Sequence, residues 1–323
     1  MKRWIVAPIG VALGASALLA AEPQPKPVEI GYIESFDHKA EVYVLKTGDT
    51  RREVAILAPV FNGDTIEVND ASAKLTLRLV GRDGPTVLSR ASGVATIAGQ
   101  IPSKGFLSGV FGWTASVVQL FDREQREQVS ASIRGNIENL SGNLISAPLF
   151  AQPQNLLAGR RKLTIGWVSP LLVDIRVLDA DGRSVASGRG SGTMWTTPEV
   201  DWKPGEYAIE FAASGETLRQ SLHFLAPDQN PSLPPELGDP TVPEPLRAVA
   251  LGTWYAAKDP ALLLEAFQHV APDAGSSRPA KLLTLAFIEG KRPSPPPSSS
   301  RGEAKARRDL SEGQDASASP STR

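Results

Sequence analysis

The chain has 323 residues, 41% of them hydrophobic, a formal net charge of -1 and no cysteine. That length is a prior for about two domains plus tails, and near-neutral charge with 6% aromatics argues against a nucleic-acid footprint or a stacking platform for single strands. Without cysteine there are no disulfides, thiol nucleophiles, thiolate metal sites or lipid-modified cysteine.

In chain order, Lys2 and Arg3 precede an apolar run from Trp4 to Ala21 whose end is crowded with small residues. This layout predicts a secretory signal peptide over 1–21, cleaved after Ala21. The alternative is an uncleaved membrane anchor, since the run is near the lower limit of about 17–25 residues for a spanning helix. Cleavage removes Lys2 and Arg3 and takes the net charge from -1 to -3. Export without cysteine suits a bacterial periplasm and excludes a lipoprotein; contact with a membrane is expected only if the segment stays uncleaved.

From Val28 to Gly99 the pattern is that of short strands. Val28, Ile30 and Tyr32 alternate, 40–45 and 51–60 form further runs, and Gly48-Asp49, Gly63-Asp64 and Asp83-Gly84 punctuate them. A small all-β barrel or sandwich is expected over 28–99. Between 103 and 134 the period changes, with Leu107, Val110, Phe111, Val117, Val118 and Phe121 drawing one helical stripe. The stripe could bind a membrane surface or a partner, with core packing as the expected role. Its polar face carries both charge signs, unlike the basic face of a membrane-surface helix.

Residues 135–160 read as an irregular connector. Over 161–227, Leu163, Ile165 and Trp167 alternate, as do Val173, Ile175 and Val177, and Pro204-Gly205 turns the chain into the strand of Tyr207, Ile209 and Phe211. This predicts an immunoglobulin-like β-sandwich without its disulfide. A proline-rich linker (228–245) leads to a helical segment (246–290), in which Asp259 caps a helix begun by Pro260. The tail, 291–323, has nothing to bury and is expected to be disordered. The fold class is therefore mainly β: two β-units, a helical insertion and a small C-terminal helical segment.

No motif for catalysis stands out. His38, His223 and His269 lie in three separate segments without metal-ligand spacing, and no G-x-S-x-G elbow is present. Gly188 to Gly192 lacks the Lys-Ser/Thr of a phosphate loop. Asp64, Glu67, Asp70 and Asp83 are explained by turns and an outer strand face, not by a calcium-loop spacing. No cofactor or metal is therefore expected. Two candidate binding surfaces remain: the row Lys74, Thr76, Arg78 on the outward face of a strand, and Trp195 with Trp202, which could stack on sugars if both were exposed.

The segment from Ala58 through Gly63-Asp64 to Val68, followed by Ala71-Ser72-Ala73-Lys74-Leu75-Thr76-Leu77, resembles the core of the FecR-like periplasmic domain, with Asp83-Gly84 where its last turn would lie. The resemblance spans about 28–99, under a quarter of the chain. It implies a non-enzymatic, all-β periplasmic unit that binds a protein or ligand. Regulators of that type carry a cytoplasmic segment before a membrane span and relay signals to a sigma factor; here an export signal is expected at once over 1–21, a departure from that pattern. The leading expectation is an exported envelope protein acting as an interaction or sensory module, with an envelope protein or cell-wall glycan as partner. The alternatives are a carbohydrate or peptidoglycan binder and a hydrolase without a recognisable motif.

Overall fold

The computed structural model describes residues 27–100, 109–132, 144–239 and 242–295. The signal segment 1–21, the onset of the helix expected from 103 and the tail beyond 295 lie outside the described residues. The fold is mainly β, with several small sheets and four α-helices among the described residues.

The first unit contains β1 (Glu29–Phe36), β2 (Tyr43–Thr47), β3 (Thr50–Arg52), β4 (Pro59–Phe61), β5 (Thr65–Val68), β6 (Lys74–Leu79), β7 (Thr86–Ser89) and β8 (Ala95–Thr96). They form two four-stranded sheets, β4-β1-β6-β7 and β3-β2-β5-β8. Leu75, Leu77 and Leu79 of β6 and Ile66 and Val68 of β5 point into a common core with Ile30, Ile33, Tyr43 and Leu45. The alternation is kept in β5 and β6 and lost in β1. Register shifts at Glu29/Gly31 and Ile33/Ser35 break its two-residue period, so Ile30 and Ile33 enter this core while Tyr32 joins the other one. Asp64, read as a turn former, is also a buried clamp. Fully covered, it accepts hydrogen bonds from Thr47 Oγ1 (2.6 Å), Arg52 (3.0 Å) and the Phe61 N–H (2.9 Å).

Helix α1 (Val110–Ser132) follows. The second β-unit contains β9 (Gln154–Leu157), β10 (Gly159–Arg161), β11 (Thr164–Gly166), β12 (Val173–Leu178), β13 (Ser184–Gly190), β14 (Met194–Thr196), β15 (Val200–Trp202), β16 (Gly205–Ala213) and β17 (Glu216–Leu225). A five-stranded sheet, β13-β12-β16-β17-β9, packs against the ribbons β10-β15 and β11-β14 in a sandwich-like arrangement. Strands β9 and β10 arise inside the stretch that reads as a connector. The sequence there shows no apolar alternation, and β9 is recruited instead by tertiary pairing, parallel to β17.

The sandwich core runs without a break into α2 (Glu244–Lys258), α3 (Leu263–Val270) and α4 (Arg278–Ile288), and includes the buried stripe of α1. At Gly166 the two come close: a Cβ there would lie 2.9 Å from Ile288 and 3.1 Å from Phe267. The proline-rich stretch between sandwich and helices is also tied down, since Leu237 and Val242 are buried in that same core. Ahead of α3, Asp259 caps a short turn through the Ala261 N–H (2.8 Å), with Pro260 in its first position.

Polar side chains fasten α3 to the sandwich edge. Glu265, fully buried, takes a bidentate hydrogen bond from Arg161 (2.8 and 2.5 Å) and a third from the Leu157 N–H (3.0 Å). Gln268 accepts from the Thr164 N–H (2.7 Å) and donates to the Thr164 carbonyl (2.8 Å). In the other direction, Gln154 of β9 accepts from the Leu264 N–H (2.9 Å). Backbone groups that an edge strand leaves open are thus met by helix side chains. Burial alone would raise the Glu265 carboxyl, but Arg161 and nearby His269 hold it down at about 2. Burial and the charge of Glu265 push Tyr255 up to about 12.

Replacing Glu265 by Ala leaves Arg161 and the Leu157 N–H without partners and is expected to cost about 3 kcal/mol, toward the low end for broken buried pairs because Arg161 keeps some exposure. A folded pKa of about 2 against an ordinary 4.5 makes this contribution present above pH 4.5 and lost as pH falls toward 2. Urea unfolding across that window should show a steeper acid loss in the wild type than in Glu265→Gln. An unchanged midpoint for Glu265→Ala at neutral pH would refute the role given to the pair.

Candidate functional site

The row Lys74, Thr76, Arg78 does face away from the first core, yet most of it is partly covered. Arg78 Nε donates to Glu34 Oε2 (3.0 Å), and Glu34 on the neighbouring β1 is buried. The same face of β1 carries Tyr32, part of the large core, and at the end of β1 the Arg126 guanidinium of α1 lies over the Phe36 ring at 4.9 Å. Gln119 of α1 donates to the Ile56 carbonyl (2.9 Å). The outward face of the first unit is therefore a seam with the helical layer. Thr76 is half-buried, and of the row Lys74 alone is exposed. Burial, then the nearby Glu34 charge, pushes the Tyr32 hydroxyl far above its ordinary range.

Trp202 requires a correction as a binding residue. It is 1% exposed, its ring is stacked on Phe224 (5.0 Å) and its indole N–H donates to the Arg161 carbonyl (3.0 Å). It belongs to the sandwich core, as tryptophans in such folds commonly do. Trp195 is half-buried and lies over Gly188, where a Cβ would meet its ring at 2.2 Å. The two rings do not form an open aromatic platform.

The histidines fall in separate settings. His223 pairs across the sheet with Glu206 (2.7 Å), and His269 stacks on Tyr255 (5.2 Å between rings) with Nε2 3.5 Å from Glu265. His38 is the one that meets a serine. Its Nδ1 lies 2.8 Å from Asp37 Oδ1 and its Nε2 3.1 Å from Ser72 Oγ. Burial opposes ionisation of Asp37, but hydrogen bonds from the Lys74 N–H, His38 and Tyr43 hold its carboxyl down at about 2. A carboxylate thus orients an imidazole toward a hydroxyl, the order an acyl-transfer triad needs. Other features oppose that chemistry. Ser72 Oγ donates to Asp70 Oδ1 (2.6 Å), the trio is substantially exposed, and the N–H groups of Ser72, Ala73 and Lys74 are all engaged, leaving none of them to hold an oxyanion. Asp70 is held below the carboxylate range chiefly by the Ser72 hydroxyl and N–H. Among the described residues no group of three or more His, Asp or Glu side chains is placed to hold a metal ion, and no helix is long and apolar enough to cross a membrane.

An open apolar surface with a concave shape lies elsewhere, along α1. The stripe residues Phe111, Val118 and Phe121 are buried, while Leu120 is 51% exposed. Trp113, Val117 and Leu120 line a groove of about 460 Å³ that residues 291–295 also border. A second depression of about 200 Å³ is lined by Pro148, Leu149, Pro260 and Leu263. Arg292 borders both. Lys291 at the rim is already paired with Glu289 (2.9 Å) and approaches Glu124 (3.6 Å), which raises its pKa. Arg292 is exposed and has no ion-pair partner among the described residues. Sequence reasoning passes over this groove because it follows the buried stripe. Trp113 and Leu120, seven residues apart and off that stripe, are the signal it had available.

No protein-family model matches the chain, and no curated protein matches it either.

Proposed function

We propose that the chain is an exported bacterial envelope protein that works as a non-catalytic, FecR-like interaction or sensory unit. The observation that carries this reading is the groove along α1, a concave apolar surface with Leu120 exposed beside the buried Phe111, Val118 and Phe121. The N-terminal charge and apolar run support export, and the Gly63-Asp64 and Ala71 to Leu77 segment supports the FecR-like assignment. The partner is an envelope protein. A cell-wall glycan is disfavoured, because Trp202 is in the core and Trp195, half-buried, does not share an open face with it.

Crosslinking in periplasm followed by pull-down tests this. Recovery of an inner-membrane sensor or sigma-factor system, reduced with Leu120→Asp, is the expected result; recovery of glycan fragments alone would overturn it.

A second reading, a serine hydrolase, is favoured by the Asp37, His38 and Ser72 line. It requires Ser72 to react with a fluorophosphonate probe in the full chain, with labelling lost in His38→Ala. Absence of labelling at Ser72 would remove it.

A further inference from the structure

Arg292 borders both apolar depressions, and its neighbours in the chain are anchored on either side of it. Pro293, the next residue, is buried, and Lys291, the one before, is tied to Glu289 and near Glu124. The rim thus offers an exposed guanidinium without an ion-pair partner among the described residues, bordering both the Trp113, Val117 and Leu120 groove, where Lys291 faces the Glu124 carboxylate, and the Leu149 and Leu263 depression. Guanidinium recognises a carboxylate through two parallel N–H donors, which gives both charge and direction. Concave apolar walls on either side suit side chains flanking that carboxylate.

We propose that this surface binds an extended peptide segment of a partner protein, an acidic residue seated on Arg292 and apolar residues on each side filling the two depressions. The proposal rests on the interaction-unit reading and specifies its ligand class. Neither Trp195 nor the Lys74 row takes part.

The test uses the full chain and a fluorescein-labelled peptide, Gly-Leu-Pro-Leu-Glu-Leu-Pro-Leu-Gly, read by anisotropy. Saturable binding is expected, weakening with added salt. Arg292→Glu should reduce affinity by about tenfold or more, and the peptide with Lys in place of Glu should then bind this variant better than it binds the wild type. Leu120→Asp should weaken binding of both peptides. Arg292 and Leu120 are exposed, so circular dichroism should show these variants folded. No saturable binding, or equal affinity for the Glu and Lys peptides, would overturn the proposal. So would a dimer in sedimentation that Leu120→Asp dissolves, or binding gained only after removal of 296–323, since another occupant would then fill the groove. If Arg292→Glu still recovers the same periplasmic partner, the peptide proposal fails while the interaction reading stands; if no partner is recovered by the wild type although the peptide binds, the reverse holds.

Discussion

The pair Arg161 and Glu265 sets a condition that the larger part of the molecule must meet. A carboxylate with no exposure is tolerated only if its charge is matched and its lone pairs are occupied, and Glu265 has both from Arg161 and the Leu157 N–H. Those partners come from β9 and β10, so α3 can dock only where the sandwich edge presents them. Gln268 and Gln154 repeat the device on either side, and the apolar faces of α2 and α4 then close over Phe267. The helices are a wall of the sandwich core.

The same logic explains the first unit's outer face. Strand β1 is covered on both sides, Ile30 and Ile33 facing the small core and Tyr32 the large one. Burying that second face takes Glu34 with it, and Arg78 supplies the matching charge. A row that alternation alone marks as solvent-facing becomes a seam. On the interaction-unit reading, function is thereby displaced from the first unit's sheet to the groove on α1, where apolar residues left over by packing are found.

Much of the fold was legible because the informative residues obey local rules. Leu75, Leu77 and Leu79 alternate, and Pro260 follows its capping Asp259. Mainly β architecture and sandwich-like sheets follow from such patterns. What was not legible depends on distant partners. Strand β9 exists because β17 lies beside it, Tyr32 changes core because of register shifts, and Trp202 is hidden by Phe224 and Arg161. Nothing local to 37–38 and 70–72 announces that His38 will meet Ser72 across 34 positions. The candidate site was the least legible part, because Trp113 and Leu120 are conspicuous only once the buried stripe of α1 is known.

Held together in this way, the sandwich and the three C-terminal helices share one core and are expected to open as one cooperative unit. Native-state hydrogen exchange on the full chain measures that directly, comparing amides of β16 and β17 with those of α2, α3 and α4 and with the Leu157 N–H. All of them are expected to open with the same free energy and the same dependence on denaturant. Helix amides that exchange through a separate, lower-energy opening, with Leu157 released alongside them while β16 and β17 stay protected, would contradict it.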